Sequence, residues 1–237
     1  EHPRIRSRKA CIRSTAKALE MAIEYGTRLH VLHVSTAEEV EMIRAAKIHN
    51  PNITAETSAN YLWFCDEDYD RLKGRVKCNP AVKGAADREA LRKGLAEGVI
   101  DTIGSDHAPH LLSEKEAPYL RCPSGLPSIQ QSLAVVLTAA DIFNKGKEDS
   151  RCLTRIASAF SERPAEILGI KDRGSLKAGN FADLVVIDPD LEYSVADSAY
   201  KCAWSPYDGT PLRARIDRVF LNGRQVVTSA LPVTSSP

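Results

Sequence analysis

The residues with the most chemistry in this chain lie in one stretch, Val99 to His110, which reads V-I-D-T-I-G-S-D-H-A-P-H. Asp106, His107 and His110 can each bind a metal or move protons. Asp106 can take a metal through one oxygen and a proton through the other. His110, four residues on, can face a substrate anion. The apolar run Val99, Ile100, Thr102 and Ile103, set off by Gly98 and Gly104, has the length and β-branching of a buried strand. The C-terminal tips of such strands are where α/β enzymes carry their chemistry. The same spacing also fits a helix N-cap aspartate followed by surface histidines.

Three other places offer groups of the same kind. His33 closes the run R-L-H-V-L-H-V (28–34), and strand alternation sets it on the face opposite His30. Being nearer the tip, His33 is the better metal ligand, although a lone strand histidine also fits a core role. Asn79, before Pro80, can hydrogen-bond a ring amide or carbonyl, or simply make an Asx turn. Pro123-Ser124-Gly125 can lay backbone N–H and C=O groups on a planar ligand where a side chain at Gly125 would intrude, or be a plain turn.

The elements that must position these groups alternate. Helices are expected over 7–25, from a Ser35/Thr36 cap with Glu38 or Glu39 to just before Pro51, and over 86–97. Strands are expected over 28–34, 52–57, 75–82 and 99–105. Alternation implies parallel strands with helices outside. Residues 107–126 make a loop long enough to suggest function. Helices follow over 127–143, 150–160 and 162–168. From Gly174 the chain turns to β structure, with a strand over 181–188 and a hairpin, 215–221 with 224–228, around Asn222-Gly223. The expected domains are 1–173 and a small β module, 174–237. Three of the four strands end in a polar group suited to metal, ring or proton, which is what a barrel with its active site at one rim requires.

The 237 residues, 43% hydrophobic and 27% charged, suit a soluble globular protein. A net charge of +1 with no dense basic run points away from nucleic acid and anionic membranes. No segment has the length of a membrane span. Six widely spaced cysteines without a CxxC pair suggest reduced thiols in a cytoplasmic protein, not a disulfide scaffold or cysteine zinc site.

H-V-L-H-V-S-T (30–36), I-T-A-E-T (53–57), K-C-N-P-A-V-K (77–83), D-T-I-G-S-D-H-A-P-H (101–110), P-S-G-L-P-S-I-Q (123–130) and A-D-L-V-V-I-D (182–188) follow one another as in dihydroorotases. The chain resembles this family of metal-dependent cyclic amidohydrolases over nearly its whole length. S-D-H-A-P-H with the preceding N-P is specific to the dihydroorotase and allantoinase branch, whereas A-D-L-V-V-I-D is shared across the superfamily. The resemblance implies an α/β fold, the C-terminal half of a TIM-type (β/α)8 barrel, with a small β-sandwich. It implies one or two zinc ions held by His33 and Asp106 together with ligands upstream of residue 1. Asp106 becomes general base as well as ligand. Asn79, His110 and the backbone of Pro123, Ser124 and Gly125 become substrate contacts. The implied reaction is the reversible ring closure of N-carbamoyl-aspartate to dihydroorotate, a pyrimidine-pathway step, and a homodimer is compatible with the resemblance.

Two departures bear on this reading. Where the family has one or two histidines after the T-A-E-T strand, this chain has Asn60-Tyr61, as allantoinase-like members often have Tyr at the second position. The family's H-x-H pair and bridging lysine lie upstream, and none of the six histidines here forms H-x-H. Four strands cannot close an eight-stranded barrel, so the chain is expected to be the C-terminal half of a longer enzyme and to bind zinc poorly alone. Another cyclic amidase (allantoinase or dihydropyrimidinase) and a non-catalytic paralogue are the alternatives.

Overall fold

The computed structural model describes residues 1–140, 150–188, 191–196 and 198–228. Two compact units emerge: residues 1–132 with 197–208, and 133–196 with 209–237.

The first unit opens with a short helix α1 (His2–Ile5) and the long α2 (Arg8–Glu24). Strand β1 (Leu29–Val31), helix α3 (Ala37–His49) and strand β2 (Ile53–Ser58) follow. Next come α4 (Ala59–Trp63), α5 (Asp68–Leu72), a 3-10 turn (Lys73–Val76), α6 (Ala85–Ala96), β3 (Thr102–Gly104) and α7 (Leu112–Lys115). The three strands are parallel in the order β1-β2-β3, with Leu29 opposite Ile53 and Glu56 opposite Thr102. Helix α3 packs between α2 and α6. Val40, Ile43 and Ala46 of α3 are buried in the core, as are Leu19, Leu91, Leu95, Ile53, Ala55 and Ile100.

Helix α3 starts where its sequence says it should. Thr36 Oγ1 accepts from the Glu39 N–H, and Glu39 reaches back to the Thr36 N–H, a capping box. Asp87, almost wholly buried, ties the rim together. Its carboxylate accepts from Ala37 N–H (2.9 Å) and Gly84 N–H (3.2 Å), at the starts of α3 and α6, and pairs with Arg8 of α2. Helices α3 and α6 therefore begin from one fixed point.

The structure corrects the sequence reading in several places. Residues 75–82 do not form a strand, and Asn79 is not at a strand tip; a 3-10 turn leads into irregular chain. The backbone carbonyls there are taken by side chains, His2 Nε2 donating to Cys78 O (2.7 Å) and Lys115 Nζ to Lys77 O (2.9 Å). Strand β1 ends at Val31 and not Val34, because His33 has a left-handed backbone (φ 41°), so simple alternation from His30 does not reach it. Strand β3 is shorter than 99–105. Three parallel strands, not four, are formed among the described residues.

In the second unit, α8 (Ser132–Ala139) is shorter than the expected 127–143, and residues 141–143 of that expectation lie outside the described residues. Helices α9 (Ser150–Phe160) and α10 (Glu162–Leu168) match expectation. Strands β4 (Leu184–Asp188), β5 (Tyr193–Ser194), β6 (Pro211–Leu212), β7 (Arg215–Leu221) and β8 (Arg224–Thr228) complete it. β4-β7-β8 form an antiparallel sheet, the Asn222-Gly223 hairpin turning as its residues require, with both at positive φ. The expected strand 181–188 begins three residues late. No described helix is long and apolar enough to cross a membrane.

Candidate active site

His33 and Asp106 each lie two residues beyond a strand end, His33 after β1 and Asp106 after β3. Both adopt positive φ (41° and 45°), a conformation that histidine and aspartate reach at a cost of order 1 kcal/mol. Two such residues at the ends of the outer strands of one parallel sheet mark a place where side-chain direction overrides backbone comfort. Burial pushes the Asp106 carboxyl above the usual carboxylate range; a His33 charge pulls it back and the Glu56 carboxylate pushes it up. His33, Asp106 and Glu56 therefore share one electrostatic neighbourhood.

Glu56 stands on the half-exposed face of β2, opposite the buried Ala55 and Thr57. Its carboxylate lies 3.9 Å from His30 Nε2, and His30 Nδ1 is 2.8 Å from Thr54 Oγ1. Gly104 is what admits it: a Cβ there would come within 2.4–2.6 Å of the Glu56 carboxylate group. An open cleft of ≈ 520 Å³ is lined by His33, His30, Asn79 and Pro80 with residues from the start of α2. It brings His33 and Asn79 together, and does not take in Asp106, His110 or Pro123–Gly125.

His110 and Pro123–Gly125 meet beyond β3, in the loop that follows Asp106. His107 pairs in parallel with Leu126, and the Ala108 N–H donates to Leu126 O (3.0 Å). This draws Gly125 against the D-H-A-P-H segment. Gly125 has φ 139°, and a Cβ on it would sit 2.6 Å from Ala108 O and 3.1 Å from His110 Nε2. His110 is itself anchored, its carbonyl accepting from Trp204 Nε1 (2.8 Å). His107 is a structural residue. Its Nδ1 accepts from the Ser128 N–H (3.1 Å), its ring leans on Tyr200 at 4.8 Å, and burial lowers its pKa.

Asn60 and Tyr61 point to structural partners. Asn60 is fully buried; its Oδ1 accepts from Tyr207 (2.8 Å) while Nδ2 has no partner. The Tyr61 hydroxyl donates to Pro80 O (2.8 Å), and burial pushes its pKa far up, so it stays neutral. Catalytic zinc takes three protein ligands and structural zinc four. His33 and Asp106 would make two, and among the described residues no group of three or more His, Cys, Asp or Glu is arranged to hold a metal. The donors among the described residues do not make a zinc site by themselves.

Sequence reasoning missed Glu56, Gly104 and three buried lysines, Lys77, Lys83 and Lys115. Nothing in the T-A-E-T motif alone sets Glu56 apart as a site residue. Nothing in the spacing marks Lys115, which reads as an ordinary charge on a loop.

Parallel strands with helices packed on them, and a half-buried carboxyl and a histidine just beyond the strand ends, describe an α/β enzyme scaffold. The sequence profile of the amidohydrolase family matches residues 8–226, and the chain belongs to that family. It is similar to the dihydroorotase of Lactiplantibacillus plantarum, 36% identical over 213 residues, covering 88% of this chain and 48% of the relative. It is also similar to the dihydroorotase of Trichlorobacter lovleyi, 34% identical over 215 residues, covering 90% and 49%. Among solved structures, L-hydantoinase (dihydropyrimidinase) from Arthrobacter aurescens superposes with a TM-score of 0.83 at 29% identity, over 94% of this chain and 50% of that one. D-hydantoinase from Bacillus sp. AR9 shares the fold, with a TM-score of 0.84 at 22% identity over 98% and 52%. The chain spans about half the length of the curated relatives it matches.

Proposed function

We propose that the protein to which these residues belong is a dihydroorotase, interconverting dihydroorotate and N-carbamoyl-L-aspartate. The reading is carried by the curated relatives named dihydroorotase at 34–36% identity over about nine-tenths of the chain. Asp106 is the general base: its carboxyl takes a proton from the attacking water and returns it to the departing ring nitrogen as the ring amide C–N bond breaks. His110, held through its carbonyl and set against Gly125, faces the ring carboxylate as a hydrogen-bond donor. Asn79 and the Pro123–Gly125 turn hold the ring. His33 and Asp106 are offered as two of the ligands of a zinc site, of one or two ions, whose remaining ligands lie outside the described residues; zinc in such sites lowers the pKa of bound water. Cytoplasmic residence is proposed from the six free thiols.

The structural likeness to L-hydantoinase favours a second reading, another cyclic amidase such as dihydropyrimidinase. The whole protein, given dihydroorotate, dihydrouracil, hydantoin and allantoin in parallel, tests the choice. Preference for dihydroorotate by tenfold or more in kcat/KM is expected, since it offers His110 a ring carboxylate, a charge-assisted contact of about 1.5–3 kcal/mol. Preference for a ring without a carboxylate would replace the dihydroorotase reading with the hydantoinase one.

A further inference from the structure

Lys115 is 1% exposed and carries no carboxylate partner among the described residues. Its ammonium has three N–H groups, and all three are used on backbone carbonyls. Nζ donates to Lys77 O (2.9 Å), Pro123 O (2.8 Å) and Gly125 O (2.9 Å). A buried cation without a counter-ion is costly, and removing its polar partners makes it more so. Its fit here is geometric: one tetrahedral donor joins three carbonyls from two segments far apart in sequence.

Lys77 works beside it. Its Nζ donates to Tyr119 O (2.8 Å) and Cys122 O (2.6 Å) and lies 4.0 Å above the Tyr119 ring. His2 adds a further tie, Nδ1 accepting from the Tyr119 hydroxyl (2.8 Å). The Gly125 N–H donates to Lys77 O (3.0 Å). The polar groups of the turn can now be counted off. Pro123 has no N–H, and its carbonyl is held by Lys115. Gly125 has both its N–H and its carbonyl held. Only Ser124 keeps its N–H, carbonyl and hydroxyl without a partner among the described residues.

We infer that Lys115 is a positioning residue of the ring-binding turn: it fixes Pro123 and Gly125 so that Ser124 is the residue of that turn which meets the substrate. The inference rests on the proposed cyclic-amide function for its ligand and on the hydrogen-bond geometry alone for the clamp. Each polar group of Ser124 can pair with one edge of a cyclic amide, which offers neighbouring N–H and C=O groups. Pro123 and Gly125 shape the turn, each with its carbonyl held by Lys115.

The test is Lys115→Met in the whole protein, read by steady-state kinetics and by hydrogen–deuterium exchange. Lys115→Met keeps the length of the side chain and removes its donors. KM for dihydroorotate is expected to rise about tenfold, more than kcat falls, and residues 118–126 are expected to lose exchange protection while β1–β3 keep theirs. Lys115→Arg, which keeps the charge and can still reach two carbonyls, is expected to fall between. A folded Lys115→Met protein with unchanged KM overturns the inference, whatever happens to its melting temperature. If Lys115→Met does not fold, Lys115→Arg decides: raised KM supports the clamp and unchanged KM overturns it. If the unaltered protein turns over no cyclic amide, the proposed function fails and exchange alone judges the clamp. Lost protection at 118–126 then upholds it and unchanged protection refutes it.

Discussion

Replacing Gly125 with alanine puts a methyl group where the fold has no space. The backbone has φ 139°, which L side chains rarely adopt, and holding a side chain there costs of order 1–3 kcal/mol. The new Cβ would sit 2.6 Å from Ala108 O and 2.7 Å from Ala108 Cβ. Ordinary carbon contacts lie near 3.5–4.0 Å, so the overlap is roughly 1 Å. Ala108 cannot give way cheaply, because its N–H is bonded to Leu126 O, one residue from the substitution. Overpacking adds about 1–3 kcal/mol, for a total of about 2–6 kcal/mol. Gly26→Ala is the control: φ is 62° and nothing lies within 4 Å of its Cβ position. Only the left-handed backbone penalty of about 1–2 kcal/mol remains there. Urea denaturation, followed by tryptophan fluorescence, compares the two, since Trp63 and Trp204 both belong to the unit that holds Gly125. With a slope of about 2 kcal/mol per molar, Gly125→Ala should lower the midpoint by about 1–3 M and Gly26→Ala by about 0.5–1 M. Equal midpoints for the two variants would refute the packing argument.

Asp87→Ala should cost about 2–4 kcal/mol in the same assay, since the Ala37 and Gly84 N–H groups lose their acceptor and Arg8 loses its buried partner; a loss under about 1 kcal/mol would contradict its role as a shared cap. Burial lowers the Lys115 ammonium to about 8, with Cys122 and Cys78 raising it and Lys77 lowering it further. Below that pH it has three N–H donors for three carbonyls, and above it two. KM for the ring substrate should therefore rise as pH passes about 8, and Lys115→Met should flatten that rise; a KM profile identical in both proteins would count against the clamp. Tyr207→Phe removes the partner of a fully buried Asn60 Oδ1 and should destabilise by about 1–3 kcal/mol without changing substrate preference. A change in preference would place Tyr207 in the site.

What is legible in the sequence is local. Thr36 and Glu39 announce the start of α3 because both halves of a capping box lie within four residues. Asn222-Gly223 announces its hairpin because both residues tolerate positive φ. The D-H-A-P-H segment stands out because its groups are close in sequence and in space. The failures share a different cause. R-V-K-C-N-P-A-V alternates like a strand, yet its supposed outward residue Lys77 is buried with Val76 and Cys78. Its backbone partners are the side chains of His2 and Lys115, 76 and 38 residues away, which no window of periodicity contains. Strand β1 falls short of its expected length because His33 leaves the β region, a choice set by the site and not by β propensity. Glu56 carries no mark in the sequence because its place depends on the absence of a side chain at Gly104, across the β2–β3 pair.

The measurement that bears most directly on the central claim is turnover of dihydroorotate by the whole protein, supplied with zinc, against Asp106→Asn. The asparagine keeps the size of the side chain and removes its capacity to take a proton. The account expects turnover in the unaltered protein and a loss of at least a hundredfold in kcat with Asp106→Asn. Turnover that survives Asp106→Asn would contradict the role of Asp106 as general base, and no turnover of dihydroorotate would contradict the proposed reaction itself.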